Sequence, residues 1–271
     1  MTEPAPAPAP LLGDAAIAAH AARLDEAYRE RRELAPLEKT YGPFALSSAY
    51  QVQAAGLALR VARGERISGY KMGFTSEAKR RQMGLGAPIR GVLTHETCIG
   101  DGGHLEVANG LHPKAEPEIF FVTARELRGS VSLEEAGAAV AQVGAALEVL
   151  DSRYAGFKYF SLPDVVADNC SSWRYVLSAR TRGLHGLAID QLRMQLHVDG
   201  ELQAEAPSSA ISGNPLASLC QLAGLLAQTG RALPAGSVVL SGAATAAVPL
   251  LAGMTVRLEV EGLFPVSLRA V

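Results

Sequence analysis

The stretch HPKAEPEIFFV, residues 112–122, joins two acidic side chains to a long apolar run. Alternate residues of a β-strand lie on the same face, so Glu116 and Glu118 are predicted to point together, with Cα atoms about 6.5–7 Å apart. Two carboxylates on one face repel each other unless a positive group lies between them. An acidic pair on a strand is more often a solvated surface, and on the sequence pattern alone that alternative stays open.

A third acidic residue, Glu148, lies inside the apolar run AALEVL, residues 145–150. Burying a lone carboxylate is costly, so Glu148 is predicted to be paired, protonated or bound to a cation. Pairing with a lysine or an arginine is the commoner of these outcomes. If the two strands are neighbours, three carboxylates converge, and their oxygens suit Mg²⁺ or Mn²⁺ with open positions for water and substrate.

Further short apolar strands alternate with Gly and Pro turns from residue 67 onward, and Asp199-Gly200 predicts a hairpin. The full set of predicted strands comprises residues 67–72, 115–122, 145–150, 175–177, 192–198, 237–240 and 255–261.

Helix start and stop signals flank four other segments. We predict helices capped by Asp14, by Ser48 with Gln51, and by Ser132 with Glu135, the last running to about residue 143. A fourth is predicted over residues 214–230.

Because this order is not a regular βαβ alternation, we predict an α+β fold built on a mixed, curved sheet. An N-terminal tail and helical lobe is expected at residues 1–66, and a catalytic domain at residues 67–271.

Composition narrows the class of protein. With 48% apolar residues and a net charge of −2, the chain can bury a sizeable core and has no basic excess for nucleic acid. Three widely spaced cysteines argue against a disulfide framework and a structural zinc site. The Ala-Pro-rich start is predicted to be an extended tail and lacks the features of a signal peptide. Reduced cysteines in the cytoplasm are the simpler interpretation, and no apolar run reaches the length that a membrane span needs.

Several blocks, in order along the chain, resemble the hydratase and decarboxylase branch of the fumarylacetoacetate hydrolase superfamily, whose fold is an α+β body with a curved, sandwich-like β-roll. The matching blocks are GYKMGFTS (69–76), GVL (91–93), PKAEPEIF (113–120), ALEVLDSR (146–153), VADNCSS (166–172), GNP (213–215) and VLSGAATA (239–246).

This resemblance implies a role for each matching residue. Glu116, Glu118 and Glu148 would hold a divalent cation, Mg²⁺ or Mn²⁺, and Lys71 would lie beside the substrate as a catalytic residue. The loop from Gly242 to Thr245 would bind the substrate carboxylate. Arg90 lies where the hydratases differ and is a candidate for binding the distal carboxylate of the substrate.

Within the branch, HPKAEPE and the stretch FKYF (157–160) look more like the decarboxylases, and the aspartate typical of the hydratase loop is replaced in PIRG (88–91). The resemblance therefore implies decarboxylation of 4-oxalocrotonate (2-oxohex-3-enedioate) to 2-hydroxypenta-2,4-dienoate and CO₂, in the meta-cleavage degradation of aromatic compounds. The alternatives are a 2-oxopent-4-enoate hydratase, an acylpyruvate-type C–C hydrolase and a non-catalytic partner subunit of a hydratase. A homo-oligomer is also expected, as is a possible complex with a homologous hydratase.

Overall fold

A computed structural model describes residues 9–75, 80, 86–157 and 161–271. The predicted N-terminal tail and parts of the GYKMGFTS and FKYF stretches (residues 1–8, 76 and 158–160) lie outside the described residues. The helices are α1 (Asp14–Glu30), α2 (Leu37–Tyr41), α3 (Leu46–Ala62), α4 (Leu133–Ala138), α5 (Leu162–Ala167) and α6 (Ala217–Ala227). The strands are β1 (Ile67–Gly73), β2 (Ile89–Thr94), β3 (Cys98–Ile99), β4 (His104–Leu105), β5 (Lys114–Thr123), β6 (Val140–Leu150), β7 (Ser172–Leu177), β8 (Arg193–Val198), β9 (Glu201–Pro207), β10 (Val238–Leu240), β11 (Val248–Pro249), β12 (Thr255–Val260) and β13 (Val266–Ala270).

The strands form two sheets. The larger has the order β2-β1-β10-β5-β6-β7-β3, with β11 also paired to β5, and the smaller has the order β4-β13-β12-β8-β9. Most pairs are antiparallel, but β1 runs parallel to β10, β3 parallel to β7 and β4 parallel to β13. The α+β class, the curved mixed sheet and the helical N-terminal region predicted from the sequence are therefore confirmed.

The main core lies between the two sheets. It contains Ile119 and Leu147 from one face of the larger sheet, and Leu196 and Leu258 from the smaller sheet, all fully buried. Because side chains alternate along a strand, the residues between these core positions point to the other face of the larger sheet. That other face, which carries Lys71 and the three glutamates, is called the site face below.

The N-terminal helices share a second core with the rest of the chain. Leu24 of α1 and Val52 of α3 pack in one apolar cluster with Ile89, Tyr154 and Val166. This cluster joins residues on both sides of position 66. The domain boundary expected there stays a prediction. No helix among the described residues combines the length and apolar character that crossing a bilayer requires.

Three helix signals were placed wrongly. The capping box of Ser132 and Glu135 is present, but the helix ends at Ala138, because the following residues pair along β5 as strand β6. Asp14 follows the N-cap Gly13 and caps nothing. Ser48 lies inside α3, where its hydroxyl accepts a hydrogen bond from the Leu12 N–H at 2.9 Å.

Replacing Gly69 by alanine should destabilise the fold, because a Cβ there would lie 1.8 Å from the carbonyl oxygen of Val238 on β10. We expect a loss of about 1–3 kcal/mol or more in the free energy of unfolding, measured by urea denaturation. Gly56→Ala is the matched control: it lies in α3 with open space around it, so alanine should stabilise by about 0.5–1 kcal/mol. Equal unfolding free energies for the two variants would contradict this packing.

Candidate metal centre

Three glutamates converge on the site face. Glu116 and Glu118 alternate along β5, and Glu148 on β6 is the direct cross-strand partner of Glu116. One carboxylate oxygen from each lies within 4.8 Å of the others. Glu118 and Glu148 are fully buried and Glu116 is half-buried, so the solvated-surface alternative for this acidic pair is wrong.

Three carboxylate oxygens of this cluster lack a hydrogen-bond partner among the described residues, namely Oε1 of Glu118 and both oxygens of Glu148. Gly242 N–H donates a hydrogen bond to Glu118 Oε2 at 2.7 Å, and Glu148 Oε2 forms an ion pair with Lys71 Nζ at 3.0 Å. Buried oxygens without partners are costly and are good ligands for a hard divalent cation. The three residues therefore fit Mg²⁺ or Mn²⁺.

Burial and neighbouring charges shift the pKa values of the residues in this cluster. Burial raises the pKa of Glu118 well above its ordinary value, and the neighbouring Glu148 raises it further. Burial also raises the pKa of Glu148, although the Lys71 ammonium opposes this. For Lys71, burial alone lowers the pKa, but the carboxylates, Glu148 foremost, raise it above the ordinary value. Lys71 is therefore a protonated, positively charged group inside the site.

Lys71 is held from two sides. Besides its ion pair with Glu148, its ammonium donates a hydrogen bond to the carbonyl oxygen of Cys170 at 3.3 Å. Its cross-strand partner is Gly91, where a Cβ would lie 3.0 Å from the Lys71 side chain and 2.7 Å from the Asn169 carbonyl oxygen. Glycine at position 91 thus makes room for both the lysine and the chain segment above it.

That segment is a left-handed turn, in which Asn169, Cys170 and Ser171 all have positive φ, from 49° to 57°. The side chain of Asn169 fastens the turn to β2: its Oδ1 accepts from Val92 N–H at 2.8 Å, and its Nδ2 donates to the Val92 carbonyl at 2.9 Å. Such strain persists only where the surroundings hold it. No sequence signal we used assigned these residues a role.

The turn is also anchored by a buried ion pair between Arg153 and Asp168. Asp151, two residues before Arg153, is not part of this ion pair. Asp151 instead accepts hydrogen bonds from the N–H groups of Leu111 and His112. Its carboxylate therefore fixes the entry into β5.

Gly242 lies in the loop that follows β10, with φ of 106°, and a Cβ there would lie 2.4 Å from Thr75 Oγ1. The loop runs beside β5, between the two strands β10 and β11 that both pair with β5. On this side of β5, Pro117 lies next to the loop and not opposite a paired strand, so its lack of an N–H group is tolerated. Thr245, also in this loop, is half-buried, and its hydroxyl donates to the Ala246 carbonyl at 3.3 Å. Substrate binding by Gly242 and Thr245 stays a prediction.

Arg90 lies apart from this cluster. Its neighbour Gly91 shares the site face with Lys71, so alternation directs Arg90 away from it. There its guanidinium donates to Gln53 Oε1 at 3.2 Å and stacks over the ring of Tyr50. Nothing in this geometry supports a contact between Arg90 and a substrate at the glutamates, and the role predicted for it stays untested.

Glu118→Gln should stabilise the cation-free protein at pH 8. Burial raises the pKa of Glu118 in the folded protein above its pKa in the unfolded chain. The stability that the protonated side chain contributes at low pH is therefore lost as the pH rises towards the pKa of the folded state. We expect the variant to melt at least about 2–4 °C above the unchanged protein at pH 8, and by less at pH 5. Exposed Glu134→Gln on α4 is the control, measured by thermal denaturation with chelator present. An equal difference at both pH values would argue against this origin.

Comparison with known proteins agrees with this architecture. The family described as fumarylacetoacetate (FAA) hydrolase C-terminal matches residues 66–269. A 4-oxalocrotonate decarboxylase from Pseudomonas sp is 45% identical over 219 residues, covering 81% of this chain and 84% of that protein. A 2-keto-4-pentenoate hydratase from Paraburkholderia phymatum is 36% identical, covering 92% of this chain and 95% of that protein.

Among solved structures, the 4-oxalocrotonate decarboxylase from Pseudomonas putida G7, complexed with magnesium and adipate, is similar with a TM-score of 0.93 and 35% identity. That likeness covers 97% of this chain and 100% of the other. On the family match and these relatives, the chain belongs to the fumarylacetoacetate hydrolase family.

Proposed function

We propose that this chain is a magnesium-dependent 4-oxalocrotonate decarboxylase, which converts 2-oxohex-3-enedioate to 2-hydroxypenta-2,4-dienoate and CO₂. The observation that carries the proposal is the cluster of Glu116, Glu118 and Glu148 with a charged Lys71 beside it. The decarboxylase relative and the decarboxylase structure with magnesium and adipate, a six-carbon dicarboxylate, support the reaction and the substrate class.

The reaction needs a place for electrons. When the bond between C5 and C6 breaks, its electron pair forms the C4=C5 double bond, the C3=C4 pair moves to C2=C3, and negative charge develops on the C2 oxygen. A divalent cation held by the three glutamates would supply a Lewis acid for that charge. Groups that bind the charge more strongly in the transition state than in the substrate accelerate the step.

Among the described residues, Lys71 is the one that would meet the developing charge. Its side chain is buried, and Cys170 and Glu148 fix its position. In the proposed reaction this ammonium stabilises the dienolate and delivers the proton that gives the neutral enol. The buried surroundings strengthen such an interaction because few water molecules compete for the charge.

This proposal includes four further predictions. They are a homo-oligomer, a complex with a homologous hydratase, a cytoplasmic location and a domain boundary at residue 66. The free cysteines Cys98, Cys170 and Cys220 are in keeping with a reducing compartment. Light scattering of the purified protein, alone and mixed with a hydratase, tests both assembly predictions.

The reaction itself is tested by incubating the protein with Mg²⁺ and 2-oxohex-3-enedioate and measuring CO₂. Release of CO₂ that stops on chelation and resumes when Mg²⁺ is restored supports the decarboxylase. Consumption of 2-hydroxypenta-2,4-dienoate without any CO₂ release from the dicarboxylate would favour the hydratase, a reaction known among the relatives of this chain.

Glu116→Gln and Glu148→Gln should each abolish Mg²⁺-dependent CO₂ release, lowering kcat/KM by at least about 100-fold, because each removes a charged cation ligand. The fold should survive, and circular dichroism checks this. Glu134→Gln, on the exposed face of α4, should keep full activity. Wild-type activity of either ligand variant at limiting Mg²⁺ would refute the assignment.

Lys71→Ala should lower kcat by about 10²–10⁴-fold, the range for loss of a positioned proton donor, while weakening Mg²⁺ binding far less. Steady-state kinetics gives the first quantity and calorimetric titration with Mg²⁺ the second. An unchanged kcat would remove Lys71 from the mechanism. A loss confined to Mg²⁺ affinity would instead make Lys71 a structural partner of Glu148.

A further inference from the structure

Among the described residues, the site face is fully buried at one end and half-buried at the other. Beyond Glu118, the next residue of β5 on this face is Phe120, which packs with Tyr175 and Leu240 in a buried apolar cluster. In the opposite direction Glu116 and then Lys114 are only half-buried. In the described part of the chain, the less buried course for a substrate with one end at the glutamates is along β5 towards Lys114.

Lys114 lies on the same face as the carboxylates, one two-residue step along β5 from Glu116. Its cross-strand partner is Leu150, just as that of Glu116 is Glu148. Its ammonium lies 4.1 Å from the centroid of the Phe157 ring. No carboxylate in the described part of the chain lies within ion-pair distance of it, so the ring orients the ammonium without neutralising its charge.

We propose that Lys114 selects dicarboxylates over monocarboxylates by pairing with the distal carboxylate of a 2-oxo acid whose keto-acid end lies at the glutamates. This inference rests on the substrate class of the proposed function. Alternate Cα atoms of a strand are about 6.5–7 Å apart. A six-carbon chain spans a comparable distance between its keto group and its far carboxylate.

The other basic groups nearby do not serve this purpose. Lys71 and Lys114 are the basic residues of strands β1, β5, β6 and β10, and Lys71 is already paired with Glu148. Arg90, the candidate from sequence, is directed to the opposite face, where it contacts α3. Lys114 is therefore the cation of these strands that remains for the distal carboxylate.

The chemistry determines which kinetic constant Lys114 controls. The distal carboxylate is the group that leaves as neutral CO₂, so its negative charge falls in the transition state. An ion pair with it stabilises bound substrate more than the transition state. Lys114→Met should therefore raise KM for 2-oxohex-3-enedioate by about tenfold and leave kcat unchanged or higher.

Binding of two unreactive probes tests the selectivity without any turnover. 2-Oxoadipate and 2-oxohexanoate have the same chain length and differ in the terminal carboxylate. Calorimetric titration of the full chain with saturating Mg²⁺ should show a preference of about tenfold or more for 2-oxoadipate. Lys114→Met should lose this preference without weakening 2-oxohexanoate binding, and Lys114→Arg should keep it. The exposed Lys39→Met on α2 is the control and should match the wild type.

A wild-type preference retained by Lys114→Met would overturn the inference, as would a wild-type protein that binds both probes equally. Loss of binding of both probes by Lys114→Met would also overturn it, since the residue would then support the keto-acid end. A decrease in kcat at unchanged KM would place Lys114 in the chemical step instead. Because the probes do not react, a protein that binds them selectively but releases no CO₂ would retain the inference and lose the proposed reaction.

Discussion

Two carboxylates removed from water, those of Glu118 and Glu148, impose the central constraint on this molecule. Each is fully buried, and the attraction of Lys71 and one backbone N–H offsets only part of the cost of burying them. The remaining oxygens have no partner among the described residues, which leaves the cation-free protein with an unfavourable charge arrangement. A divalent cation bound to these oxygens would offset that cost. The affinity of the site for the ion and the lower stability of the protein without it therefore have the same origin.

Strand register is what brings the charges together. Glu116 faces Glu148 directly across β5 and β6, while their neighbours Ala115, Leu147 and Val149 belong to the core between the sheets. A slip of one residue would turn these carboxylates into the apolar core and bring core side chains to the site face. The large apolar core therefore stabilises the alignment of the site as well as the fold.

The sequence predicted β1, β5, β6, β7, β8, β10 and β12 and the α+β class, because alternation and apolar runs are local signals, but it did not predict β2 or β13. The convergence of the three glutamates followed from the family resemblance, because local signals do not show which strands are neighbours. The prediction from sequence failed where tertiary pairing overrides local preference, as in the segment after Ala138, which continues as strand β6. The left-handed turn at Asn169 was not predicted, because three consecutive non-glycine residues with positive φ have no recognisable sequence pattern. The substrate role of Arg90 stays a prediction, because the place of a residue in a loop motif says nothing about the face of β2 to which its side chain points.

The hydrogen bond from Lys71 to the Cys170 carbonyl has an evolutionary corollary. The acceptor is part of the main chain, so exchanging the thiol at position 170 for another small group leaves it in place, provided that the new residue tolerates the same backbone shape. Substitutions of the side chain at position 170 therefore leave the hydrogen bond of Lys71 largely unchanged. Ranking residues by side-chain identity alone would overlook a component that every variant inherits from the peptide backbone.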